Sequence, residues 1–155
     1  MPRVSAGLIM YRMKDGALQV LLVHPGGPFF QNKDDGAWSI PKGEPGAGED
    51  LLDAAQREFA EETGFKASAP FIELSPITQK GGKVVHAWAF VGGCDPRRLQ
   101  SNVFTLEWPP RSGRTQEFPE VDRADWFDLE TVKRKIKPAQ FPLIEELQRK
   151  LRARS

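Results

Sequence analysis

One cysteine, two histidines and one tyrosine in 155 residues each close off a class of chemistry. A lone Cys94 cannot form an intramolecular disulfide, which suits a reducing compartment, and it reads as a buried spectator thiol. With neither thiolates nor paired histidines at hand, a zinc site is not expected. No apolar run approaches the roughly 18 residues that span a bilayer. The opening Met-Pro-Arg-Val-Ser lacks the charged-then-apolar pattern of a signal peptide, so the expected location is cytoplasmic, away from membranes. Net charge is only +1, so no global field selects nucleic acid, and an anionic ligand must be held by local groups. There is no internal repeat, low-complexity tract or linker.

What is present describes an ordinary globule, with 39% hydrophobic and 28% charged residues. The length suits a single domain over 1–155, burying about two-thirds of its unfolded surface. Apolar stretches from Arg3 to Arg12 and from Ala17 to His24 flank Lys14-Asp15-Gly16 and predict a hairpin. A surface loop runs from Pro25 to Gly36, and Trp38-Ser39-Ile40 reads as a short strand. Further strands are expected at Phe71–Gln79 and Val84–Val91, around a Lys-Gly-Gly-Lys turn, with His86 and Trp88 facing one way. Phe104–Trp108 and Asp125–Asp128 are short strands, and Pro109 to Arg114 is an irregular loop. Helices are expected at Leu129–Ile136 and, beyond Pro138, at Ala139–Arg152, where Leu143, Leu147 and Leu151 form a docking stripe. The basic runs Lys133-Arg134-Lys135 and Arg149 to Arg154 read as solvated helix faces. Hairpins combined with helices indicate an α+β fold.

The chain is organised around Gly43 to Phe65, G-E-P-G-A-G-E-D-L-L-D-A-A-Q-R-E-F-A-E-E-T-G-F. Glycines and Pro45 make the approach irregular. Nothing breaks a helix between Glu49 and Thr63, and Gly64 sits where a left-handed C-terminal cap belongs. Leu52, Ala55 and Phe59 share an inward face. Glu58, Glu61 and Glu62 fall at i, i+3 and i+4 on a neighbouring one. Like charges so placed weaken an isolated helix by roughly 0.2–0.5 kcal/mol per pair, so such a cluster implies a cation to hold. An all-oxygen set beside a glycine turn suits Mg²⁺ or Mn²⁺.

This pattern resembles a complete Nudix box: Gly43, Glu49, and then Arg57-Glu58-Phe59-Ala60-Glu61-Glu62-Thr63-Gly64-Phe65. Its fixed positions match by chance on the order of once in a billion placements, which weighs against a merely solvated acidic face. Phenylalanine at the two hydrophobic positions, where the family more often has aliphatics, changes packing and not chemistry. The resemblance implies the Nudix fold, a mixed curved β-sheet sandwiched between α-helices. It also implies Mg²⁺- or Mn²⁺-dependent hydrolysis of a diphosphate linkage in a small-molecule nucleotide.

Carried over residue by residue, Glu58, Glu61 and Glu62 would be metal ligands, helped by the carbonyl of Gly43. Arg57 and Glu49 would orient the carboxylates. The base would be Glu58, or a metal-binding or basic glutamate ahead of a late tryptophan. Glu120 precedes Trp126 at about that distance, with Glu117 as a rival. The catalytic group is thus Arg57, Glu58, Glu61 and Glu120. Lys42 is expected to hold phosphate. Trp38 can stack on a base or fill the core, and His86 can touch phosphate or serve structurally; His24 reads as structural. Related diadenosine polyphosphate hydrolases carry a tyrosine roughly 16–18 residues past the box, and ADP-ribose enzymes a proline near 15–16. Both marks are missing, since the only tyrosine is Tyr11 and positions 80 and 81 are Lys and Gly. The Trp-Ser-Ile-Pro-Lys-Gly-Glu approach favours a nucleoside polyphosphate, ahead of diadenosine tetraphosphate and then ADP-ribose. A non-catalytic nucleotide-sensing module is the alternative of another class; such proteins usually lose a box carboxylate, and this chain keeps all of them. The family includes monomers and dimers, so a homodimer stays open.

Overall fold

The computed structural model describes residues 3–154. Strands β1 (Val4–Lys14) and β2 (Ala17–Pro25) form the expected hairpin. Asp15 and Gly16 at its tip have φ of 53° and 80°, the pair of positive values that a tight two-residue hairpin turn requires. A brief β3 (Lys42–Gly43) follows, then helix α1 (Leu51–Thr63). The short β4 (Ile72–Glu73) and β5 (Ile77–Thr78) both pair with β6 (Val84–Val91). After a 3-10 turn at Pro96–Arg98 come β7 (Val103–Glu107), β8 (Thr115–Pro119) and β9 (Val121–Asp128). Helices α2 (Leu129–Lys135) and α3 (Phe141–Ala153) end the described chain.

The main sheet runs β4-β6-β1-β2-β9, with β3 on β1 and β5 on β6. It is mixed: β1 and β6 are parallel over Val4–Tyr11 and Val84–Val91, while the other pairings are antiparallel. β7 and β8 form a separate two-stranded hairpin. Both faces of the central strands are covered, so they read as nearly continuous apolar runs. Alternation sends Leu8, Met10, Leu21 and Phe90 toward α1, and Ile9, Val20, Leu22, Val85 and Ala87 toward α2 and α3. Helices on both sides of one mixed sheet are the expected α+β sandwich.

Helix α1 begins two residues later than its propensity suggests, because Asp50 caps it by accepting from the Asp53 N–H. Gly64 ends it at φ 77°. Ala55 and Phe59 point inward as expected, Phe59 meeting Phe90 edge-on at 5.4 Å, while Leu52 is half-buried. In α3, Leu143 and Leu147 are buried and Leu151 packs at the margin. The fully buried Gln140 accepts from the Ile40 N–H and donates to Ser39 Oγ and Gln79 Oε1. It ties the segment before the box to the base of α3.

Several boundaries differ from expectation. The stretch Phe71–Gln79 is two fragments, because Pro76 has no N–H and the Ser75 N–H goes to Glu146. Trp38-Ser39-Ile40 makes only isolated bridges, to Val23 and Ile136. β8 is hidden by its polarity and exposure, since of its five residues only Phe118, packed on Phe104, is even partly buried. β9 starts four residues early, its charges suiting an edge strand. Lys135 and Arg134 are not merely solvated, since both pair with acids of the 25–36 loop. No helix among the described residues is long and apolar enough to cross a membrane.

Replacing Gln140 by Leu should lower unfolding free energy by about 1–3 kcal/mol or more, since it strands the buried Ile40 N–H and Gln79 carbonyl. Urea denaturation checks this, and unchanged stability would mean the network is dispensable.

Candidate active site

The site lies where α1 faces β3. Gly43 meets Glu58 so closely that a Cβ there would stand 2.1 Å from the Glu58 carboxyl carbon. Only glycine leaves that space. β3 is in turn laid tightly on β1: a Cβ on Gly7 would approach the Pro41 carbonyl oxygen to 2.7 Å, and that oxygen accepts from the Leu8 N–H. The sheet therefore sets the distance between the glycine turn and the helix.

Arg57 organises the acids. Its guanidinium binds Glu49 through two hydrogen bonds of 2.9 and 3.0 Å, and it reaches Glu58 Oε1 at 2.9 Å and Glu61 Oε2 at 3.1 Å. It also donates to the Glu44 carbonyl, tying the helix to the loop before it. Glu49 accepts further from the Gly46 N–H, and its carboxyl is held down at about 2, first by Arg57 and then by that N–H. Glu58 and Glu61 each give one oxygen to Arg57, which leaves Glu58 Oε2 and Glu61 Oε1 unclaimed by it.

Glu62 sits deeper, and among the described residues it accepts only from the Lys42 N–H, at 3.3 Å. Burial pushes its carboxyl up to about 8, with the charges of Glu58 and Glu120 adding to the shift. Glu58 is raised mainly by burial, against the pull of Arg57. Glu120 is raised by desolvation and then by Glu58 and Glu61, so it faces the helix carboxylates. Its backbone explains the placement. Asn102 donates to the Glu61 carbonyl, and the Glu120 N–H donates to the Asn102 carbonyl, each at 2.8 Å. The Glu120 carbonyl accepts from Gly26. Glu117, by contrast, lies on exposed β8 opposite Thr105 and outside this constellation.

Lys42 lines a cleft of about 140 Å³ together with Glu62, Glu120 and Lys137. Burial, then Lys137 and Lys83, lowers the Lys42 ammonium to about 8. Lys137 was missed in the sequence, where it follows a basic helical run; only its place just before Pro138 distinguished it. Trp38 fills the core rather than offering a stacking face: it is 4% exposed, packs edge-on against His24 and Phe127, and donates to Asp34. His86 stands in one cross-strand row with Ala6 and Gly43, so about 10 Å of sheet separates it from the turn. His24 is fully buried between Asp122 and the Lys33 carbonyl. Cys94 is half-buried rather than fully so, and desolvation raises its thiol to about 11.

The donor set is all oxygen, which fits a hard divalent cation. Among the described residues no three acidic, histidine or cysteine side chains converge closely enough to enclose an ion in this arrangement. The raised Glu58, Glu62 and Glu120 mark uncompensated negative charge, and a cation is what would draw them together.

Comparison with known proteins agrees with this architecture. A family model of the NUDIX domain matches residues 1–147. The NUDIX domain of Shewanella oneidensis NrtR, solved with ADP ribose, shares 18% identity at a TM-score of 0.68, covering 97% of this chain and 89% of that chain. A Caenorhabditis elegans Ap4A hydrolase, solved as a binary complex, shares 22% identity at a TM-score of 0.68, covering 96% and 98%. A NUDIX hydrolase from Nitrosomonas europaea shares 21% at 0.60, covering 96% and 89%. At these identities the structural likeness establishes a common fold, and the family match over most of the length establishes more: this chain belongs to the Nudix family of hydrolases.

Proposed function

We propose that this protein is a Mg²⁺- or Mn²⁺-dependent pyrophosphohydrolase that splits the diphosphate linkage of a nucleoside polyphosphate by water attack on phosphorus. The observation that carries this reading is the set Glu58, Glu61 and Glu62 on the end of α1 beside Gly43, with Glu62 and Glu120 lining one cleft opposite lysines.

In this reading Glu58, Glu61, Glu62, Glu120 and the Gly43 carbonyl hold the cation. When bound, it would neutralise phosphoryl oxygens and lower the pKa of a water. Arg57 and Glu49 keep Glu58 and Glu61 in fixed orientation, the support that carboxylate ligands generally need. Glu120 takes the proton from the attacking water. Its carboxylate accepts no hydrogen bond among the described residues, whereas Glu58 is already bound to Arg57. Lys42 binds substrate phosphate, whereas His86, in the row of Ala6 and Gly43, stands on the sheet face toward α1, opposite to that of the Lys42 side chain. Several phosphates suit the lysine-lined cleft better than the single diphosphate of ADP-ribose, which places dinucleoside polyphosphates second.

Glu61→Gln and Glu62→Gln should each lower metal-dependent turnover by about 10²-fold or more without loss of fold. The assay incubates a nucleoside phosphate panel with Mg²⁺ or Mn²⁺ and resolves products by chromatography. Wild-type rates in both variants would sink the assignment. Gly43→Ala, which drives a methyl into the Glu58 carboxylate, should reduce kcat by about 10-fold or more. Titration calorimetry with Mn²⁺ should show weakened binding in the same variant.

A further inference from the structure

We propose that Lys42 and Lys137, backed by Lys83, form a clamp for a terminal phosphate, so that substrates ending in a free phosphate are preferred over diphosphates capped by organic groups at both ends. This rests on the pyrophosphohydrolase reading and specifies which end of the substrate the cleft receives.

The three lysines come from separate parts of the chain: β3, the turn before β6, and the junction between α2 and α3. Solvated like charges splay apart, yet these are held together by backbone. The Lys137 N–H donates to the Trp38 carbonyl at 2.8 Å, and Gln140, three residues on, accepts from the Ile40 N–H. The segments 38–42 and 137–140 are thus laced to each other, and their lysines share one cleft. Burial comes first and Lys83 second in lowering Lys137, while Lys42 feels both neighbours.

The charges are not spent on protein partners. Among the described residues neither Lys42 nor Lys137 has a carboxylate within ion-pair distance, and Glu62 takes the Lys42 backbone N–H instead of an ammonium. Lys83 approaches Glu44 at 3.7 Å, but Glu44 is bound more closely by Arg3 at 2.8 Å. Two partly desolvated ammonium groups without partners are costly unless an anion completes them. The cleft, about 140 Å³, has room on the order of four or five waters at about 30 Å³ each, enough for a phosphoryl group.

Its other wall explains the selectivity. Glu120 lines the same space and, when ionised, repels anions, so an anion enters with its charge directed at the lysines. A terminal phosphate carries nearly two negative charges at neutral pH, whereas each phosphate of a doubly capped diphosphate carries one. Lysine binds phosphate as a compact point charge, so the denser charge gains more.

The test is calorimetric titration of sodium tripolyphosphate into the whole protein in EDTA, where no turnover confuses the reading. Wild type should bind, Lys137→Ala should weaken the Kd about tenfold or more, and Lys137→Arg should recover part of it. Lys133→Ala, exposed on α2, should match wild type. Lys137→Gln and thermal melts exclude misfolding as the cause. Absence of binding by wild type, wild-type affinity in both neutral Lys137 variants, or an equal loss in Lys133→Ala overturns the clamp. The glutamine variants of Glu61 and Glu62 decide the hydrolase reading separately, since a protein could hold tripolyphosphate and hydrolyse nothing.

Discussion

The site depends on one guanidinium. Arg57 lies among Glu49, Glu58 and Glu61 and donates to the Glu44 carbonyl, so a single planar group sets carboxylate orientation, helix position and loop path together. Three glutamates along one helical face would otherwise push apart and turn toward water. The fork geometry of arginine suits this as an ammonium would not, because it supplies several directional donors from one rigid plane. The strong hold on Glu49 makes the loop from Gly43 to Glu49 part of the helix in effect. Gly43 is then pressed to within a methyl's width of Glu58.

Around that centre the charges are sorted by wall. Glu62 and Glu120 are acids whose ionised forms burial and neighbouring carboxylates oppose, while Lys42 and Lys137 have no carboxylate at ion-pair distance among the described residues. Such a site is frustrated when empty: its opposite charges lie near one another without cancelling. A cation on one wall and a phosphate chain on the other would satisfy both. Selection of a highly charged ligand thus needs no net field from a chain whose overall charge is +1.

The box was legible because its chemistry is local. Spacing within one helix places Glu58, Glu61 and Glu62, a glycine marks each end, and Arg57 reaches back to Glu49 just ahead of the helix. Glu120 was legible only as a distance before Trp126; its real anchor, the ladder from the Glu61 carbonyl through Asn102, is tertiary. Lys137 and Gln140 left little trace, since one looks like the tail of a basic helix and the other like a surface amide. Trp38 was ambiguous because a tryptophan beside a glycine-rich loop suits a ligand face and a core equally well. Of the β7–β8 hairpin, β7 was legible at Phe104, whereas β8 escaped because it has no buried face to impose alternation.

That hairpin departs and returns through a narrow clasp, in which Asn102 grips the end of α1 and then the Glu120 N–H. Everything between these two residues is an excursion with its feet pinned side by side. Its tip from Trp108 to Arg114 lies beyond this clasp and touches the body through Trp108, edge-on to Phe29. Lineages could lengthen, trim or redecorate the excursion and so alter what is admitted, while the glutamate beneath stays at its post.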